Sequence, residues 1–200
     1  MSSRIIFATN NEGKMLEVSS ILKDIGLPVI SMKEAGLNID IVEDGTTFEE
    51  NAMIKARAVA KVFPEDIILA DDSGLEIDFL NKEPGVYSAR FAGRETPYPV
   101  KNQIILDKLE GVPDEKRTAR FVCVIAAAFP DGSKDITRGT IEGQIGHQIV
   151  GESGFGYDPI FYVPEYSMTT AQMASELKNK LSHRGKALVE MMEVIRDKIK

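Results

Sequence analysis

Apolar residues in this 200-residue chain gather into short continuous runs and into stripes of helical spacing, divided by turns rich in Gly, Pro and Asp. Residues 4–9, RIIFAT, predict a first strand, and residues 12–25 a helix whose Met15, Val18, Leu22 and Ile25 share one face before Gly26 and Pro28 end it. A second helix is predicted over residues 48–63, opened by a capping box between Thr47 and Glu50 and striped by Phe48, Ala52, Ala56, Val59 and Phe63. Ile67, Ile68, Leu69 and Ala70 read as a strand buried on both faces that leaves the core at Asp71 and Asp72; residues 75–80 alternate as a half-buried strand. Residues 118–129 are the longest strand prediction and should be central, with 135–141 paired to them across the PDGS turn. A Gly-rich aromatic loop at 84–93 precedes a helix at 100–109. Residues 155–164 predict a rigid loop leading into a short strand, 170–180 a helix, and Ser182 the cap of a last helix striped by Leu188, Met191, Ile195 and Ile199.

Polar residues break this pattern at a few places where chemistry is expected. The adjacent carboxylates of Asp71 and Asp72, followed by Ser73 and Gly74, end an apolar run, so they form either a solvated turn or the rim of a metal site. Between the first strand and first helix lies TNNEGK, a loop whose helix N-terminus and Lys14 suit a phosphate group. It is not a P-loop, because position 8 is Ala and Lys14 is followed by Met15 rather than Ser or Thr. Lys55 projects within the apolar stripe of the second helix, where it must snorkel to water or meet an anion. Glu43, at the end of a short apolar pair read as a strand, is either a solvated turn residue or a second oxygen ligand beside Asp72. Phe155 and Tyr157 offer flat faces for a base or plugs for the core, and Asp158 a carboxylate for an amide edge. Lys178, His183 and Arg184 cluster around the break before the last helix.

Composition narrows the partners. At 43% hydrophobic the chain can bury a sizeable core without a disulfide or structural metal. The single cysteine, Cys123, sits in the apolar run RFVCVIAAAF and reads as a small buried hydrophobe, in keeping with a reducing, cytoplasmic setting. No stretch approaches the ~20 apolar residues of a membrane span, and MSSRIIFATNN carries no cleavage-site pattern, so no membrane partner is expected. A net charge of −7 without a block of Lys or Arg argues against a nucleic acid polymer. An anionic ligand would need a few local cations and a divalent metal. No repeat or linker appears, and residues 1–200 are expected to form one domain.

The strings ATNNEGK, EDGTTFEENAMIKA, ADDSGLEID, PGVYSARFAG, GFGYDPIF and SHRGKAL occur in register, and together they resemble the inosine triphosphate pyrophosphatase family over residues 5–188. That resemblance implies an α/β fold: a long curved mixed sheet flanked by helices, in two lobes with a central active-site cleft. It implies Mg2+-dependent hydrolysis of ITP, dITP and XTP to the monophosphate and pyrophosphate, which keeps non-canonical purines out of nucleic acid. By motif, Thr9, Asn10, Asn11, Glu12, Gly13, Lys14 and Lys55 would hold phosphates, Glu43 and Asp72 would bind the metal, and Asp72 would be the general base. Ser73 would touch the substrate, while Phe155, Gly156, Tyr157, Asp158, Lys178, His183 and Arg184 would form the nucleoside pocket, with Tyr157 at the base-stacking position. A homodimer is also implied.

Physical chemistry extends these expectations. A purine triphosphate carries about four negative charges, which Mg2+, Lys14, Lys55 and helix amides would offset. Donors from His183 or Arg184 aimed at a 6-oxo group would favour hypoxanthine and xanthine over adenine. A metal-bound carboxylate is a poorer proton acceptor, so either Asp72 divides its oxygens between the two tasks or Asp71 assists. Two rival readings are a Maf-like pyrophosphatase acting on modified pyrimidine nucleotides, whose N-terminal basic signature is absent from RIIFATNNEGK, and a nucleotide-binding module without catalysis.

Overall fold

The apolar run at 67–70 does not end at the two aspartates. In the computed structural model, which describes residues 4–199, that strand continues unbroken to Ile77, so Asp71 and Asp72 lie inside a strand rather than at its rim. Their placement is tolerable because cations from neighbouring helices meet them, as described below.

In chain order the elements are β1 (Ile5–Phe7), α1 (Glu12–Ile21), β2 (Val29–Ser31), α2 (Phe48–Ala60), β3 (Ile67–Ile77), α3 (Tyr98–Lys108), β4 (Thr118–Ala128), β5 (Lys134–Ile145), β6 (Phe161–Val163), β7 (Met168–Thr169), α4 (Ser175–Leu181) and α5 (His183–Ile199). Among the described residues the strands form one mixed sheet ordered β2-β1-β3-β4-β5-β6-β7. β1 runs parallel to β2 and β3, with Ile5, Ile6 and Phe7 in register with Ile67, Ile68 and Leu69. β6 is antiparallel to β5 and β7. The expected central strand is β4, with a turn at 129–133 leading directly to β5.

The chain divides into two compact units, one made of the residues up to Asp72, Cys123–Gly139 and those from His183 onward, the other of Ser73–Val122 and Thr140–Ser182. The first has a core in which Ile5, Phe7, Ile67 and Leu69 meet Val18 and Leu22 of α1 and Leu188, Met191 and Ile195 of α5. The second is built on Leu75, Ile77, Ile105, Leu109, Phe161 and Tyr157, with the Phe121 and Phe161 rings 4.4 Å apart.

Departures from the expected elements have local causes. Residues 37–45 form no strand, and Val42, in the apolar pair before Glu43, is 74% exposed rather than drawn into the core. The helix expected over 170–180 starts only at Ser175. Residues 170–172 make a single 3-10 turn closed by a Thr169–Gln172 capping box, and Met173, extended, buries its side chain in the core. Ile199 is 43% exposed, so the stripe of α5 ends at Ile195. Residues 1–3, part of the N-terminal segment read for a leader, lie outside the described residues.

Candidate active site

Successive side chains of a strand point to opposite faces of its sheet, so Asp71 and Asp72 face different neighbours although they are adjacent. Asp71 shares its face with Ile67 and Leu69, over which α1 and α5 pack. There Lys14 Nζ donates to its carboxylate at 2.9 and 3.0 Å and Arg184 Nη2 at 3.2 Å, while Arg184 Nη1 pairs with Glu17. Burial alone would raise the pKa of Asp71, but Lys14 and Arg184 outweigh it and hold the carboxyl well below the usual range. The same pairing keeps the buried Arg184 firmly protonated against the desolvation that opposes it.

Asp72 points the other way, toward α2. There it meets Lys55, whose Nζ lies 3.7 Å from Oδ1 and 2.6 Å from Glu43 Oε2. Burial pushes the Asp72 carboxyl up, Glu43 and Asp71 add to the rise, Lys55 and Asn51 oppose it, and the balance takes it from 3.8 to about 6. Lys55 is thus the anion-meeting case: burial disfavours its charge, but Asp72, Asp71 and Glu43 together raise its pKa. Asn51, 1% exposed on the same face of α2, accepts the Gly45 N–H at 2.9 Å and so ties the Glu43 loop to the helix that carries Lys55. The predicted capping box holds the start of that helix, Thr47 accepting from Glu50 N and Glu50 from Thr47 N.

Asn11 caps α1, its side chain accepting the Lys14 N–H at 3.0 Å, while its own N–H donates to Thr9 Oγ1 at 3.1 Å. Glu12 and Gly13 then provide main-chain N–H groups at a helix start, where the dipole favours an anion. A cavity of about 160 Å³ opens beside this turn, lined in part by Thr9, Asn10, Lys14, Glu43, Lys55 and Asp71. The structure therefore brings the predicted phosphate and metal residues together in the first unit. Ser73 follows them along β3, half-buried.

In the second unit, residues 154–158 form a tight loop. Tyr157 is 3% exposed, donates its hydroxyl to the Ser88 carbonyl at 2.7 Å and meets Tyr98 edge to face, which makes it a plug of the core. Phe155 is the half-buried ring of the pair, with Lys178 Nζ 5.0 Å from its centroid. Asn102 donates to the Gly156 carbonyl at 3.2 Å. The Asp158 carboxylate accepts from the Phe155 N–H, Lys178 Nζ and Thr170 Oγ1 at 2.8, 2.7 and 2.8 Å. The cluster expected at the last helix break thus divides: Lys178 is engaged by Asp158, and Arg184 by Asp71 and Glu17. His183, the first residue of α5, is buried in the first unit. Glu17, Asn51, Asn102 and Thr170 were missed, since a carboxylate, two amides and a hydroxyl on helices and turns carry no sequence signal until their partners are placed. Asn51, on the buried stripe of α2, was the one that helical spacing could have exposed.

On this α/β sheet two lysines, the turn before α1 and the carboxylates of Asp71 and Glu43 line one small cavity, an arrangement suited to holding an anion. The Ham1 family model matches residues 5–194. The chain is 50% identical over 96% of its length to a dITP/XTP pyrophosphatase of Desulforamulus reducens, covering 95% of that protein, and 44% identical over 98% to one of Clostridium perfringens, covering 99% of it. Among solved structures, a HAM1 protein from Coxiella burnetii superposes with a TM-score of 0.87 at 41% identity, over 98% of this chain and 100% of the other. The Ham1 protein of Staphylococcus aureus gives 0.86 at 41%, over 98% and 99%. The chain belongs to the Ham1 family.

Proposed function

We infer that this protein hydrolyses non-canonical purine nucleoside triphosphates, the dITP and XTP of its relatives' names and by the same 6-oxo chemistry ITP, to the monophosphate and pyrophosphate. The observation that carries this reading is the unequal carboxylate pair on β3 beside the cavity that Lys14, Lys55 and the Thr9–Asn11 turn line. Asp71 is fixed as an anion and anchors Lys14 and Arg184. Asp72, whose carboxyl burial raises to about 6 in the metal-free protein, is the general base toward the attacking water. A carboxylate held as far down as that of Asp71 is a weak acceptor, which supports giving the base role to Asp72 rather than Asp71.

Mg2+ is the metal this donor set fits. Glu43 and Asp72 form an acidic pair on either side of the Lys55 ammonium, and the Asp72 pKa is raised chiefly by burial, with Glu43 and Asp71 adding to it. Among the described residues no cluster of three or more His, Cys, Asp or Glu makes a complete cage. Mg2+ is commonly held by one or two carboxylates together with substrate phosphates and water, which is what Glu43 and Asp72 would offer. When bound it would supply neutralisation of the phosphates and a better leaving group. The chain's own residues do the rest: Lys14, Lys55 and the first amides of α1 orient the triphosphate, and Asp72 holds the attacking water.

For the base, Phe155 provides the flat face that had been expected of Tyr157, and Lys178 the donor for a 6-oxo group. In this structure two Arg184 nitrogens are committed to carboxylates, so a base-reading role would require it to exchange those partners. Residues 1–200 act as one pyrophosphatase domain, a reading supported by a family match that runs through both units. A homodimer in the cytoplasm, where the free nucleotide pool lies, completes the proposal. The Maf-like alternative is not favoured, since dITP/XTP pyrophosphatases are the relatives found across nearly the whole chain. Product identification with ITP, XTP, dITP, GTP and ATP, with and without Mg2+, tests the reading: pyrophosphate and monophosphate from the first three support it, and orthophosphate release or no turnover overturns it.

A further inference from the structure

We propose that Thr170 is a positioning residue for base recognition: its hydroxyl fixes the Asp158 carboxylate so that the other oxygen holds the Phe155 main chain and the Lys178 ammonium together. The inference rests on the purine triphosphate reading above and adds a residue to it. Thr170 and Asp158 are 3% and 4% exposed. Thr170 Oγ1 lies 2.8 Å from Asp158 Oδ1 and 3.2 Å from the Asp158 carbonyl, and its one proton serves the closer carboxylate. With Oδ1 pinned, Oδ2 accepts the Phe155 N–H at 2.8 Å and Lys178 Nζ at 2.7 Å.

Carboxylate torsions are soft, so without the hydroxyl the group can rotate and release either partner. The backbone is shaped around this carboxylate. Gly154 has φ +77°, and a methyl placed there would stand 2.3 Å from Asp158 Oδ2 and 3.0 Å from Lys178 Nζ. Asp158 is then spent on the loop's own donors and acts on the base only through Phe155 and Lys178. The 3-10 turn that replaces the expected start of a helix is what brings Thr170 to it.

Steady-state kinetics of Thr170→Val, Thr170→Ser and Gly154→Ala on ITP and ATP test this. Loss of a hydrogen bond to a buried charge predicts a roughly tenfold fall in kcat/KM for ITP in Thr170→Val, carried mainly by KM, with a narrower ITP to ATP ratio. Thr170→Ser keeps the donor and should restore most of both. Gly154→Ala, whose methyl at φ +77° both strains the loop and crowds the carboxylate, should raise KM in the same direction. An unmoved KM and ratio in Thr170→Val overturn the proposal, as does equal damage in Thr170→Ser, which would assign the effect to packing of the methyl. If Thr170→Val does not fold, Gly154→Ala decides: a wild-type KM and ratio there overturn the proposal. A wild-type protein that does not prefer ITP to ATP overturns the underlying reading instead.

Discussion

The two aspartates of β3 show how far one pleat can separate identical side chains. Asp71, beside Lys14 and Arg184, is held well below the usual carboxylate range; Asp72, beside Lys55 and Glu43, is raised by burial to about 6. Asp72→Asn should therefore lower kcat by roughly 10²–10⁴, the span of general-base catalysis, without loss of fold. Asp71→Asn takes one carboxylate from the buried Arg184, which keeps Glu17, and one from the part-exposed Lys14, and should cost about 1–3 kcal/mol of stability, with a smaller effect on turnover per folded molecule. Urea denaturation and single-substrate kinetics on both variants separate the two; equal losses of kcat would remove the division of roles. The stability consequence of Asp72 has an unusual sign. Its native pKa lies above its ordinary value, so between 3.8 and about 6 the folded state binds more protons than the unfolded one. Metal-free protein should thus lose up to roughly 3 kcal/mol as pH rises through that window, at 1.36 kcal/mol per unit. Asp72→Asn should abolish that part of the pH dependence, while Asp71 acts oppositely, its contribution being lost as pH falls below 4.

At the level of elements, α1, α2 and α5 matter for what they carry to β3. Lys14 comes from the first turn of α1, Lys55 and Asn51 from one face of α2, and Arg184 from the first turn of α5. The start of α5 is set by a close approach to β5. A methyl on Gly139 would fall 2.1 Å from the His183 carbonyl oxygen and 2.7 Å from the Ala187 nitrogen, and Thr137 donates to the Ala187 carbonyl at 2.8 Å. Gly139→Ala should push this turn off the sheet, costing about 1–3 kcal/mol by overpacking. A lower urea midpoint at unchanged slope would register it. Most of these elements were legible in the sequence: α2 with its cap, β4 and the helical stripes followed from spacing and turn chemistry. The continuation of β3 through two aspartates was not, because a run of Asp, Asp, Ser and Gly is ordinary turn composition and only the cations of other elements make it a strand. The turn at 170–172 was likewise hidden, its residues being neutral between helix and turn.

Over the whole molecule the charge balance sets the chemistry. A body of net charge −7 must bind a polyanion with few cations, and Lys14, Lys55, Lys178 and Arg184 already face carboxylates. Chelation with EDTA should abolish ITP hydrolysis, and added Mg2+ should restore it; turnover persisting in the chelator would detach Glu43 and Asp72 from any metal. The buried Cys123, its thiol pushed up to about 12 by burial, is inert as expected, so thiol reagents should leave the activity intact. Among the described residues no helix is long and apolar enough to cross a membrane.

The order of motifs by itself pointed to the family, the α/β class and the polar residues Thr9, Asn10, Lys14, Glu43 and Lys55 that line the cavity, because short-range patterns record which positions must be apolar, capped or charged. Which cations meet each of the two neighbouring aspartates, which aromatic is a plug, and which carboxylate holds the loop together were decided only by tertiary structure. Those properties belong to distances between groups far apart in sequence: 57 residues separate Lys14 from Asp71 and 113 separate Asp71 from Arg184. Electrostatic energy depends on that separation in space, which local pattern does not encode.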